Sequence, residues 1–204
     1  MVSLKELLGF EVRADDGVAG SISDFLINER TWAVGYVIVP IGGYLSGERL
    51  LIAVDDITLG REDRAIITAR SLVELAALSP ADLATKAEEG WATVNDQAPR
   101  HIPASDMPEP QSPWRSFNMM LGCTIAASDG GYGSLDDLLV DFEEWRIQYF
   151  VGRTYKWKKK PSVLIPTAWV EQVSWMDKTV DVSVSREALE REPTYKPASH
   201  TQTQ

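Results

Sequence analysis

Cysteine is nearly absent from this chain. Cys123 stands alone, so an intrachain disulfide and a multi-cysteine metal site are both excluded. Histidine is almost as scarce. There are only His101 and His200, and His200 falls in a polar tail, Ser199 to Gln204, where disorder is expected. A histidine metal centre or a Ser–His–Asp triad would have to be built on His101 alone. Basic residues are outnumbered, 20 against 30 acidic, for a net charge of −10 and a pI near 4.7. Nucleic-acid binding draws on clustered Lys and Arg, so this balance argues against it. It argues equally against anionic lipid surfaces. No apolar run approaches the ~18 residues of a membrane span. Residues 1–17 lack the basic start, apolar stretch and cleavage site of a signal peptide. Cytoplasmic residence without membrane insertion is the expectation. There is also no Gly-rich phosphate loop before a helix, no paired-histidine motif and no nucleophile elbow. No enzyme activity, catalytic residue, cofactor or metal site is expected.

The 204 residues that remain to be explained are 44% hydrophobic and 25% charged, enough to build a core. They repeat. Leu8-Gly9-Phe10 is matched by Leu121-Gly122-Cys123, and the offset of 113 holds far beyond. Asp16-Gly17 lands on Asp129-Gly130, Gly20 on Gly133, Asp24 on Asp137, Trp32 on Trp145, Tyr36 on Tyr149, and Leu51-Ile52 on Leu164-Ile165. After one inserted residue, Ile66 pairs with Val180 and Ser71 with Ser185. A string of Gly, Asp, Trp and Tyr at one offset indicates two copies of one module.

Each copy reads as β. Residues 32–39 and 145–152 both place bulky apolar side chains at alternate positions, the period of a strand. Further strands are expected over 137–142, 50–54, 163–165, 65–68 and 179–184, with hairpin turns at 28–31 and 143–144. A serine caps a short helix at the end of each copy, Ser71 before Leu72 and Ser185 before Arg186. Five or six short strands per copy predict a small barrel. The chain therefore divides into a first module (1–79), a helix plus Pro-rich linker (80–116), a second module (117–197) and a tail (198–204). The helix is expected over 80–89, with Ser79 as its cap and Gly90 as its stop.

Gly133 to Asp141, followed by Trp145-Arg146-Ile147-Gln148-Tyr149-Phe150-Val151, resembles the first hairpin of the PRC-barrel family, named for the photosynthetic reaction centre. Val163 to Pro166, Trp169-Val170 and Val173 resemble its later strands. The Ser185-Arg186-Glu187 exit before Pro193-Thr194-Tyr195-Lys196-Pro197 resembles its stand-alone bacterial members. The resemblance implies a mainly β protein with two small PRC-type β-barrels in tandem. It also implies a non-catalytic interaction module, an adaptor or scaffold for a protein partner of unknown identity. A peripheral partner of a membrane electron-transfer complex is a weaker implication, since this chain lacks the membrane helix of the reaction-centre H subunit.

Several residues are candidates for a site, each with a plainer reading. The carboxylates Asp136, Asp137, Asp141, Glu143 and Glu144 suit a divalent cation, but strand and hairpin placement makes a solvated face the preferred reading. Lys156-Trp157-Lys158-Lys159-Lys160 is the one basic run. It would serve an RNA- or ribosome-associated factor, against a solvated loop in an acidic chain. Cys123 reads as a small buried hydrophobe and His101 as a solvated linker residue. Trp32, Tyr36, Trp145 and Tyr149 are assigned to the structural core. In the first copy, Trp32, Val34, Tyr36 and Ile38 are taken to face the barrel interior, leaving Ala33, Gly35, Val37 and Val39 outside. That outer face has no polar side chain, so Val37 and Val39 are expected to be covered by the 80–89 helix, by the other module, or by another subunit in a homodimer.

Overall fold

A computed structural model describes residues 1–41, 49–60, 64–78, 113–154 and 162–196. The protein is mainly β, with a curled half-barrel sheet and a second, smaller sheet. The first copy contributes β1 (Val2–Ser3), α1 (Leu4–Leu7), β2 (Glu11–Ala14), β3 (Gly17–Ser21), β4 (Asp24–Asn28), β5 (Ala33–Pro40), β6 (Arg49–Ala53), β7 (Thr58–Gly60), β8 (Ala65–Ile67) and α2 (Leu72–Leu78). The second contributes β9 (Trp114–Ser116), α3 (Phe117–Met120), β10 (Thr124–Ala127), β11 (Gly130–Asp141), β12 (Arg146–Thr154), β13 (Ser162–Pro166), β14 (Val170–Ser174), β15 (Thr179–Val182), α4 (Arg186–Arg191) and β16 (Thr194–Tyr195).

The repeat read from the sequence is a repeat of pairing. In the first copy the strands run β7-β8-β2-β3 in the small sheet, then β4-β5-β6 in the large one. In the second, β14-β15-β10-β11-β12-β13 is the same order in one sheet. The copies differ where β3 ends and β4 begins, whereas β11 passes through the matching point with a register shift between Leu135 and Asp137. The flanking bonds are the same. Gly9 and Gly122 each donate 2.8 Å bonds across, to the carbonyls of Ile22 and Leu135. Both glycines adopt left-handed φ, 80° and 83°, which a side chain would strain. Both expected helix caps are present. The Ser71 hydroxyl accepts from Glu74 N, and that of Ser185 from Ala188 N, each at 3.3 Å.

The bulges repeat as well, and one overturns the facing expected for β5. Register slips between Leu26 and Ile27 where β4 meets β5, and between Leu139 and Val140 where β11 meets β12. One extra residue, Gly35 in the first copy and Gln148 in the second, inverts the alternation of everything beyond it. Val34 therefore faces the main core, but so do Val37 and Val39, both fully buried with Phe25, Leu50 and Ile52. Tyr36 and Ile38 turn to the opposite face, against Leu26, Leu51 and Trp114. Val37 and Val39 are thus interior residues, not an outer surface awaiting a cover. The outer face of β5 is covered by Trp114, whose ring meets Tyr36 edge-on at 5.4 Å. Gly35 makes room for it, since a Cβ there would lie 2.3 Å from the indole. Trp114 to Ser116, expected as the end of a linker, form a strand for this reason. The expected helix at 80–89 lies outside the described residues, as do most of the Pro-rich segment and the tail.

One core serves both copies. Phe25 of the first meets Phe117 of the second edge-on at 6.1 Å, and Trp32 meets Phe150 at 4.9 Å and 88°. Of the four aromatics assigned to the core, Trp145 is buried, whereas Trp32, Tyr36 and Tyr149 are half-buried. Trp32 and Trp145 end their hairpin turns in the left-handed region, at φ 56° and 49°.

Candidate functional site

The copies are joined by a seam whose two ends repeat one arm pairing. Each copy begins with an arm, a short strand followed by one helical turn, and lays it on the other copy. β1 pairs antiparallel with β11, placing Val2 opposite Val140 and Ser3 opposite Leu139. β9 pairs with β4, placing Arg115 opposite Ile27 and Ser116 opposite Leu26. Each pairing is the other shifted by the repeat offset. Between the arms, Val34 N donates to Trp145 O at 2.7 Å and Ile147 N to Trp32 O at 2.8 Å.

A serine–aspartate clasp fixes each arm. The Ser116 hydroxyl donates to Asp24 Oδ2 at 2.5 Å and accepts from Met119 N at 3.1 Å, so one oxygen both caps α3 and crosses the seam. Asp24 Oδ1 accepts from Asn118 N at 3.0 Å and Phe25 N at 2.8 Å. At the other end the Ser3 hydroxyl donates to Asp137 Oδ2 and accepts from Glu6 N at 3.0 Å. Asp137 Oδ1 accepts from Lys5 N at 3.1 Å and Leu138 N at 2.8 Å. Both aspartates are buried, 8% and 5% exposed, a placement tolerable for a carboxylate only with such donors. Burial still wins for Asp137 and pushes its carboxyl above the ordinary value, against the bonds from Ser3, Lys5 and Leu138.

The expected acidic cluster therefore separates by role. Asp137 belongs to the clasp. Asp136 holds Lys5 at 3.0 Å and Arg153 at 2.7 Å. Burial works to raise its carboxyl, but the bonds from those two cations hold it below the ordinary value. Asp141 accepts from Glu143 N at 2.9 Å within the turn. Among the described residues no three His, Cys, Asp or Glu gather as a metal would require. Cys123 is buried, and burial raises its thiol despite the opposing charge of Lys178. The run from Lys156 through Trp157, Lys158 and Lys159 to Lys160 lies outside the described residues, as do His101 and His200.

Two features broke the repeat and escaped the sequence reading. The first is an ion pair at one end of the seam. Arg115 donates to Glu29 Oε1 at 2.6 Å, and Trp175 Nε1 donates to the other oxygen. The guanidinium also sits over the Trp175 ring, 5.2 Å from its centroid. Burial raises the Glu29 carboxyl, and the charge of Arg115 opposes it. At the matching positions stand Phe142 and Val2, so this lock exists once. The second is a surface row on the small sheet. Val18, Arg13 and Ile67 lie directly opposite one another on β3, β2 and β8. Val18 and Ile67 are 55% and 46% exposed. The matching row in the second copy is Gly131, Ala126 and Asp181. Substituting 114 for 113 in the offset beyond the insertion brings Ile67 onto Asp181, and that contrast was the available signal.

No helix among the described residues is long and apolar enough to cross a membrane. Comparison with family models and with curated proteins finds no match for this chain.

Proposed function

We propose that this protein is a non-catalytic adaptor or scaffold, built from two PRC-type barrel modules in tandem, that binds a protein partner in the cytoplasm. The module assignment rests on the motif resemblance, and the repeated strand order supports it. The observation that carries the binding role is the unequal treatment of one face. Both copies build the same four-strand arrangement, yet only the first places large aliphatic side chains in its solvent row. Val18 and Ile67 flank the Arg13 stem across three neighbouring strands, a stretch of ~10 Å. Burying such a row against a partner is favourable at about 25 cal/mol per Å² of apolar area. In the second copy Asp181 stands where the first has Ile67 and would have to be desolvated.

The test compares equivalent faces. Val18→Asp and Ile67→Asp should abolish co-purification of the partner while shifting stability by less than about 0.5 kcal/mol, as exposed substitutions do. Gln172→Asp, beside Asp181 on the second copy, should leave capture intact. Capture that survives both first-copy substitutions would exclude this face as the docking surface.

A further inference from the structure

The strand order of the two copies differs at one joint, between β3 and β5. In the second copy the matching strands are continuous in one ladder. Gly133 lies opposite Thr154, Ser134 opposite Arg153 and Leu135 opposite Gly152. Moved back by 113, these are Gly20, Ser21 and Ile22 facing Ile41, Pro40 and Val39. The first copy has no ladder there, because β3 ends the small sheet and β5 belongs to the large one. The two strands are nevertheless side by side. A Cβ on Gly20 would stand 2.7 Å from Val39 Cγ1 and 3.3 Å from the Pro40 carbonyl oxygen. One on Gly133 would stand 2.0 Å from the carbonyl oxygen of Arg153. Both carbonyls thus turn toward the neighbouring strand. Opposed residues of a bonded antiparallel pair exchange both bonds, so the amide of such a residue turns the same way. Arg153 has an N–H to give across the joint, and Pro40 has none. Proline in a sheet belongs on an edge. Pro40 creates an edge where the fold brings a neighbour.

What spans the joint in the first copy is side-chain packing and one bend of the chain. Val12 and Ile66 of the small sheet and Leu75 of α2 are buried in the common core. Such packing is non-directional and does not replace a ladder. At the bend, Ile22 N donates to Phe10 O of the small-sheet side at 2.9 Å, and Ser23 N donates to Ile38 O of the large sheet at 2.8 Å. The two sheets therefore meet between consecutive residues. α2 goes with the small sheet, since Leu72 N donates to Asp16 Oδ1 at 2.8 Å. Contiguous units of this kind open locally with less free energy than the whole fold. We propose that Pro40 makes residues 22–23 a hinge, at which β3-β2-β8-β7 and α2 open as one unit against the large sheet. Their counterparts in the second copy, held to β12 through β11, stay closed. The moving sheet is the one that carries the Val18 row, but the hinge does not rest on the docking role.

Native-state hydrogen exchange on the full chain tests this without any partner. Val12 opposite Ile66 in the first copy matches Ile125 opposite Val180 in the second, and all four are buried. The amides of β2 and β8 should exchange on the order of tenfold faster than those of β10 and β15, after correction for intrinsic rates, as one or two missing bonds at the joint imply. Equal or slower exchange in β2 and β8 overturns the proposal. Pro40→Arg restores the N–H at an exposed position and should slow β2 and β8 severalfold relative to β4. No change relative to β4 overturns the role given to the proline. Arg153→Pro is the converse and should speed β10 and β15 severalfold. Arg153→Ala loses the bond to Asp136 but keeps the N–H, so it should not. Equal acceleration by both Arg153 variants, or none by Arg153→Pro, overturns the proposal. Should Arg153→Pro fail to fold, the Pro40→Arg result decides alone.

Discussion

Ser3→Ala removes a single oxygen that has two duties, so its cost should depend on pH. The hydroxyl caps α1 by accepting from Glu6 N and crosses the seam to a buried Asp137 oxygen. Losing an N-cap costs about 1 kcal/mol. Losing a hydrogen bond to a charged, buried acceptor costs about 1.5–3 kcal/mol. Asp137 keeps the amides of Lys5 and Leu138, both on its other oxygen, so Oδ2 is left without its donor. The combined loss at neutral pH should be about 2–3 kcal/mol, less than the sum because one group serves both. The sign with pH follows from the raised carboxyl. A group that binds its proton more tightly when folded stabilises the fold fully below its ordinary value, 3.8. That contribution is lost as pH rises through the native value. Removing a donor raises the native value further. The Ser3→Ala penalty should therefore shrink toward the cap term, about 1 kcal/mol, as pH falls toward 4. Denaturant melts of both proteins across pH 4–8, with the slope unchanged, measure this. A penalty that does not vary with pH, or one below about 0.5 kcal/mol at pH 7, would refute the buried-clasp reasoning.

Ser116→Ala should cost as much as Ser3→Ala at neutral pH, and a twofold difference in chemical-melt stability would show that the two seam ends are not equivalent. Gly35→Ala should cost about 1–3 kcal/mol by overpacking against Trp114, and the same change in a Trp114→Leu background should cost much less. Equal losses in that double-mutant cycle would place the clash elsewhere. Trp145→Ala should cost about 3–5 kcal/mol. Because φ at this residue is 49°, Trp145→Gly should be no worse than Trp145→Ala, reversing the usual glycine penalty. Thermal melts ranking glycine clearly below alanine would contradict the left-handed turn. Glu29→Gln should destabilise by about 3 kcal/mol, since it leaves the Arg115 charge buried, whereas Glu29→Gln with Arg115→Met should recover part of the loss. No recovery in the double variant would mean that the ion pair is not the stabilising contact.

What could be read from the residues was whatever is local or periodic. Leu-Gly motifs, Asp24 with Asp137, and the Trp and Tyr pairs fixed the offset because each stands at a position with its own demand: a left-handed glycine, a buried acceptor, a hairpin end. The capped helices after Ser71 and Ser185 follow from one side chain and its own turn. The facing of β5 failed for the opposite reason. Gly35 is silent as a letter, and only its partner strand shows that it is the extra residue of a bulge. Beyond it, alternation still reads correctly but with inverted sense, so Val37 and Val39 changed faces. The clasp failed at long range. Ser3 and Asp137 are 134 residues apart, and nothing in either neighbourhood names the other. Ser3 and Ser116 do share the offset, each three residues before the amide it caps. Pairing them with Asp24 and Asp137 required knowing that the arms cross.

The crossing of the arms also sets an order of events when the chain is made. Ser3 leaves the ribosome 134 residues before Asp137, its clasp acceptor across the seam. At ~5–20 residues per second that is a wait of roughly 7–27 s. Throughout it the first copy's arm has no edge to join, and the edge of β4 has no arm until Trp114–Ser116 follow. A nascent first copy therefore holds an unpaired strand edge and an unattached strand together. These are the two halves of an intermolecular contact, and neighbouring ribosomes on one message carry the same pair. Pausing late in the chain would lengthen that exposure, and fast elongation through residues 114–141 would shorten it.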